Sequence, residues 1–97
     1  MIIVTGAMVA RPETFEPLLE LCLAHCARSR TEHGCVSHAV SVDAENPLRL
    51  VFFEEWSDRG ALEVHFRDPE ARGFVRDSRS LMSAGTPMRI YEVVDAG

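Results

Sequence analysis

Apolar positions recur along this chain in two rhythms, one near 3.6 residues and one of two, and the rhythms mark out the elements. Residues 2–9 (IIVTGAMV) are apolar and partly β-branched, which predicts a first strand. Both of its faces are apolar, so both should be covered. From Phe15 the positions Phe15, Leu18, Leu19, Cys22, Leu23 and Cys26 follow i, i+3, i+4, i+7. That spacing predicts an amphipathic helix over about 12–31, with Pro12 and Glu13 in its first turn. Gly34 is available for a left-handed cap after it.

Residues 35–43 (CVSHAVSVD) alternate, with Val36, His38, Val40 and Val42 on one face and Ser37, Ala39 and Ser41 on the other. A turn at 44–48 (AENPL) leads to a third strand, 49–56 (RLVFFEEW). Leu50, Phe52, Glu54 and Trp56 share one of its faces, and the short turn makes a hairpin. Ser57 is placed to cap a helix over about 58–66 with an inner stripe of Ala61, Leu62, His65 and Phe66. Asp68-Pro69-Glu70 then restarts a helix whose buried stripe would be Phe74, Val75, Ser78, Leu81 and Met82, ending at Gly85. Residues 87–94 (PMRIYEVV) form the last strand, with Met88, Ile90 and Glu92 opposing Arg89, Tyr91 and Val93.

Strand, helix, strand, strand, helical pair, strand is the order of a ferredoxin-like α+β fold, β-α-β-β-α-β, with a four-stranded antiparallel sheet. Its helices cover one face of the sheet. The other face is also apolar here, and an exposed apolar face seeks a partner, so a sheet-to-sheet homodimer is expected. The chain has 97 residues, which fits one domain over 1–97 with a thin core.

Charge and composition narrow the partners. The net charge of −5 and the lack of any Lys or Arg stripe speak against nucleic acid and against an anionic membrane surface. No apolar run is long enough to span a bilayer. The N-terminal Met-Ile-Ile-Val-Thr-Gly has no basic leader, and the three cysteines are an odd number, as expected of reduced thiols in a cytoplasmic protein. No GxGxxG, P-loop, HExxH or CxxC occurs. Gly6 stands alone in its strand, which suggests close backbone approach or a bulge. Cys22, Cys26, His25 and His33 are metal-ligating types, but both cysteines fit the apolar stripe and His25 points to another side, so no metal is expected.

His65 lies between Leu62 and Phe66 on an inner helical stripe, where an imidazole can orient or deprotonate a phenolic hydroxyl. It can equally be a hydrogen-bonded core histidine. His38 and Glu54 are polar among large apolar strand neighbours, and the hairpin would bring them together. They either line a pocket with His65 or serve as structural partners, since a buried Glu needs one. Trp56 is either the wall of a flat-ligand pocket or core bulk. The charges from Arg67 to Arg79, Arg72 among them, read as a solvated helical face.

The runs Glu32-His33-Gly34-Cys35, Phe53-Glu54-Glu55-Trp56 and Ala61-Leu62-Glu63-Val64-His65-Phe66 stand at characteristic intervals. Together they resemble the antibiotic biosynthesis monooxygenase domain, over about residues 2–94. The resemblance implies a dimeric α+β barrel with a pocket between sheet and helices in each protomer. It implies oxidation of a quinol, phenol or polyketide-like aromatic by dioxygen, with no flavin, haem or metal. It gives His65 as base or orienting group, Glu54 and His38 as its catalytic partners, and Trp56, Phe52, Phe74 and Leu62 as the pocket. His38 stands where the family usually has Tyr, and Glu70 and Ala71 stand where many relatives have a His and an aromatic. These departures keep two alternatives open: a non-oxidative, isomerase-like enzyme on a small carbonyl or sugar-derived substrate, and a non-catalytic small-molecule binder.

Overall fold

The computed structural model describes residues 1–97. The elements are β1 (Ile2–Ala10), α1 (Phe15–Ser29), β2 (Cys35–Asp43), β3 (Asn46–Trp56), α2 (Arg59–Arg67), α3 (Pro69–Arg79), β4 (Met82–Gly85) and β5 (Arg89–Glu92). All strand pairs are antiparallel, and the sheet order is β2-β3-β1-β4, with β5 also on β1. This is the ferredoxin-like α+β fold. The fourth column of the sheet is not one strand over 87–94 but two short ones laid end to end along β1. The break falls at Thr86-Pro87: Thr86 still donates its N–H to the Ala7 carbonyl and accepts the Ala7 N–H on its hydroxyl, but Pro87 has no N–H to continue the ladder.

Other boundaries moved for local reasons. Helix α1 starts at Phe15 because Arg11 to Thr14 form a turn, in which the Thr14 hydroxyl accepts the Arg11 N–H and donates to the Leu81 carbonyl. Asp58, not Ser57, caps α2, accepting the Ala61 N–H at 2.8 Å. Helix α3 ends at Arg79, so Met82 opens a strand; the Arg11 guanidinium holds the Ser80 and Met82 carbonyls on either side of that exit. Leu81 and Met82 still pack on the core from there. Asp68 caps α3 as the sequence predicts.

The helices cover the sheet face that carries Ile2, Val4, Leu50, Phe52, Glu54 and Trp56, and the core forms between them. Leu18, Cys22 and Cys26 of α1 are fully buried, while Leu23, predicted in the stripe, is half exposed. A bulge between Cys35 and Ser37 turns Val36 out to solvent and keeps His38 facing inward, opposite Glu54. Gly34, at φ +83°, makes the tight turn before β2; a Cβ there would collide with the Ala61 Cβ. No helix is long and apolar enough to cross a membrane.

Candidate active site

Four elements send polar side chains into the space beneath the helices. His65 of α2 is 3% exposed, and its Nδ1 lies 2.9 Å from Oε1 of Glu32. A carboxylate only accepts, so Nδ1 carries the proton and donates it. Nε2 is left with a free lone pair and has no partner within the protein, yet it is not sealed from solvent-sized space. Glu32 comes from the turn between α1 and β2, where it opens the Glu32-His33-Gly34-Cys35 run but has no periodicity to give it a role. The turn closed by Gly34 carries it under α2.

His25 of α1 is also buried, contrary to the outward orientation expected of it. Its ring stacks on Phe74 of α3, centroids 4.1 Å apart and nearly parallel, and stands 5.4 Å from the ring of His65. Nη2 of Arg28 donates to its Nδ1 at 2.8 Å. Arginine has no lone pair to offer, so Nδ1 accepts and the ring proton sits on Nε2. Burial, reinforced by the charges of His38, His65 and Arg28, pushes His25 down to about 3, so the ring is neutral at ordinary pH. Glu70 holds the Arg28 guanidinium from α3 at 3.1 Å.

Glu54 and His38 do meet across the hairpin. Nε2 of His38 is 3.3 Å from Oε1 of Glu54, close enough for charge attraction but off the axis of a hydrogen bond. The Trp56 indole donates to the same Oε1 at 2.9 Å. Burial by itself would raise the Glu54 carboxyl; the His38 ring beside it, the Trp56 donor and the field of His65 outweigh it and keep the group below its usual value. Cys26 lies 3.2 Å from the other His38 nitrogen, and burial pushes its thiol up to about 11, so it stays protonated.

A partly open cavity of about 160 Å³ adjoins this cluster. Phe52, Phe74, Glu54, His25 and His65 reach its wall, as does the bare backbone of Gly6. Phe66, Arg72, Val75 and Met88 also line it and are solvent-exposed, so they form its mouth. Arg72 is therefore more than part of a solvated face. His38, Trp56 and Leu62 do not line the cavity. His38 is sealed at 1% exposure, Trp56 packs its ring 4.6 Å from that of His65, and Leu62 belongs to the core beside Ile2 and Val4.

Ring nitrogens of His25, His38 and His65 lie within 4.8 Å of one another. Tetrahedral zinc with bonds near 2.1 Å needs its nitrogens about 3.4 Å apart. The cluster would have to contract, and His25 would have to release Arg28 and its Nε2 proton. The hydrogen-bond pattern therefore fits a set of donors and acceptors better than a cation.

The family model for antibiotic biosynthesis monooxygenase matches residues 1–77. The chain belongs to the antibiotic biosynthesis monooxygenase family. An uncharacterised protein of Synechocystis is 31% identical over 94 residues, 97% of this chain; the chain spans 64% of that relative's length. Among solved structures, a candidate antibiotic biosynthesis monooxygenase from Deinococcus radiodurans superposes with a TM-score of 0.94 at 26% identity, over 99% of this chain and 95% of the other. Another antibiotic biosynthesis monooxygenase does so with a TM-score of 0.87 at 27% identity, over 98% and 100%. The Glu-x-Trp pair is internally bonded, the Trp56 indole donating to Glu54, and both Glu54 and His65 reach the cavity while Trp56 does not.

Proposed function

We propose that this protein is a monooxygenase that oxidises a phenol or quinol with dioxygen and needs no bound cofactor. The observation that carries the reading is the Glu32–His65 pair: His65 lines a mainly apolar cavity, and its Nε2 has no partner in the protein. Glu32 fixes the tautomer and stabilises the imidazolium that forms when Nε2 takes a hydroxyl proton. The resulting phenolate passes one electron to dioxygen, giving a ring radical and superoxide. These join at a ring carbon as a hydroperoxide. Loss of the C–H proton and of hydroxide as water leaves a carbonyl, so one oxygen atom enters the product and the substrate supplies every electron. The protein contributes a base, a dry wall of Phe52 and Phe74, and exclusion of competing water.

Oxygen uptake tests this with a panel of phenols, hydroquinones and catechols, on protein free of flavin and metal. Uptake by the wild type, reduced at least about 100-fold in His65→Ala, is expected. No uptake above background with any substrate refutes it. Arg72 at the mouth favours a second reading, isomerisation of an anionic carbonyl compound with His65 as base; that enzyme would exchange substrate C–H for deuterium without consuming oxygen.

The working unit proposed is a cytoplasmic homodimer. The sheet face away from the helices carries Ile3, Val51, Phe53 and Tyr91, and Phe53 and Tyr91 remain 45% and 43% exposed. Two such faces would bury one another about a two-fold axis. Sedimentation of a monomer at micromolar concentration would refute the pairing.

A further inference from the structure

Arg72 is the one arginine on the cavity lining, and nothing in the protein neutralises it. It forms no ion pair, although the chain carries 15 Asp and Glu against 10 Lys and Arg. The carboxylates around it are engaged elsewhere. Glu70, two residues earlier on α3, turns to Arg28 of α1 at 3.1 Å. Asp68, one turn back, caps the helix by accepting the Glu70 N–H at 2.8 Å. Asp77 is held by Arg76 at 3.0 Å. Glu54, the only acid on the lining, takes the Trp56 indole. Arg67, Arg79 and Arg89 also lack an ion pair, but none of them lines this cavity.

We propose that Arg72 selects a ligand with a carboxylate, so that the substrate of the proposed reaction is a phenol bearing an acidic side chain. Phe66, Val75 and Met88 share the exposed mouth with Arg72. Apolar contacts of that kind hold a ring or a hydrocarbon tail but do not discriminate by charge; the guanidinium does. Its planar fork matches a carboxylate with two parallel hydrogen bonds. The second charge of a phosphomonoester would meet no further arginine on the lining. At a net charge of −5 the surface as a whole does not attract anions, so the preference is local to the mouth. The reading rests on the phenol oxidation proposed above and adds a charged group to its substrate.

The buried and exposed parts of the lining then do different work. His65, 3% exposed, serves the ring hydroxyl; Arg72, at the surface, holds the carboxylate. The cavity, about 160 Å³, is close to the roughly 150 Å³ of an engineered protein cavity that holds one benzene ring. A single ring therefore fits, with the acidic side chain at the mouth. There the carboxylate keeps part of its hydration, so the ion pair avoids the full cost of burying two charges. The carboxylate takes no part in the electron transfer, so Arg72 acts on binding, and its loss should raise KM and leave kcat in place.

Calorimetry tests this on wild type, Arg72→Gln and Arg72→Glu. The ligands are 4-hydroxybenzoate and 4-hydroxyphenylacetate, the methyl amide of each, and tyramine, which puts a positive charge on a similar tail. Arg72 is exposed, so both variants should fold, and circular dichroism checks that they do. In wild type at least one acid should bind at least about 5-fold tighter than its amide. Arg72→Gln should abolish that preference by weakening the acid alone, and Arg72→Glu should turn it toward tyramine. Equal binding of acid and amide by wild type, a preference that survives Arg72→Gln, an equal loss on both ligands, or no binding of either acid overturns the role given to Arg72. Oxygen uptake with the same compounds is read separately. A charge preference in binding with no uptake refutes the monooxygenase and leaves the selectivity of Arg72 standing; uptake with no charge preference does the reverse.

Discussion

Replacing Glu32 by Gln is the sharpest perturbation of the proposed machinery. The carboxylate sits 2.9 Å from Nδ1 of His65, and its side chain is only 16% exposed. Glutamine preserves shape, removes the charge, and can turn either an oxygen or an NH₂ group toward the ring. Two things should follow. The tautomer lock is lost, so a share of the molecules carries the proton on Nε2 and has no lone pair in the cavity. The imidazolium formed during proton transfer also loses its counter-charge. General bases contribute about 10²–10⁴-fold, and an orienting partner a large part of that, so a fall in kcat of about 100-fold with little change in KM is expected. The stability cost should be small, about 1–2 kcal/mol for one charge-assisted hydrogen bond, and urea unfolding measures it. Ring ¹⁵N spectra of His65 need no substrate: the wild type should show Nδ1–H, and Glu32→Gln a mixture. A wild-type ring protonated on Nε2, or a kcat within a factor of two in the variant, refutes the role given to this pair.

Gly34→Ala should destabilise the fold by at least about 2 kcal/mol, because an L residue at φ +83° is strained and its Cβ meets that of Ala61; the urea midpoint reads this, and an unchanged midpoint contradicts it. Gly6→Val should leave stability nearly intact, since the first added carbon would lie an ordinary 3.9 Å from the Met88 Cα, yet it should weaken ligand binding by filling the cavity; calorimetry with the best-bound phenol tests both halves. Stability should fall with acid from pH 6.5 toward about 3, because in that window the unfolded chain takes up a proton that His25, neutral among His38, His65 and Arg28, refuses. At 1.36 kcal/mol per pH unit the effect is at most about 5 kcal/mol, and His25→Phe should flatten it; a flat wild-type profile over that range contradicts the assignment. Glu54 adds to the loss in the same direction only below its unfolded value near 4.5, as its depressed carboxyl is protonated.

How much of this was legible in the chain depended on whether a residue's role followed from periodicity. Leu18, Cys22 and Cys26 recur every four residues, and Leu50, Phe52, Glu54 and Trp56 every two, so the face each would bury could be read directly. Where the last strand broke could not be read that way, because Thr86 and Pro87 interrupt the ladder while the alternation of apolar side chains runs on across them. His25 was within reach: Cys22, His25, Cys26 and Ser29 fall at i, i+3, i+4 and i+7, the same rhythm that marked the core, and counting only apolar types concealed it. The pairing of Glu32 with His65 was not within reach, although Glu32 stands in the first run that carries the family resemblance. It lies in a turn, 33 residues from its partner, and only the left-handed step at Gly34 brings the two together.

The family pattern had a related blind spot. It marked Glu54, Trp56 and His65 as one site, whereas the structure divides them by what each has left to offer. Glu54 is occupied by the Trp56 indole and faces the His38 ring, and Trp56 and His38 are sealed beneath the cavity. Among the buried polar residues on the cavity wall, His65 and His25 each keep a ring nitrogen that nothing in the protein satisfies. Neither nitrogen is sealed from solvent, so water can meet each of them when the cavity is empty and a ligand with polar groups can take its place. The cavity beside His65 thus draws the buried polar part of its wall from His65, His25 and Glu54, while His38 and Trp56 lie sealed behind it.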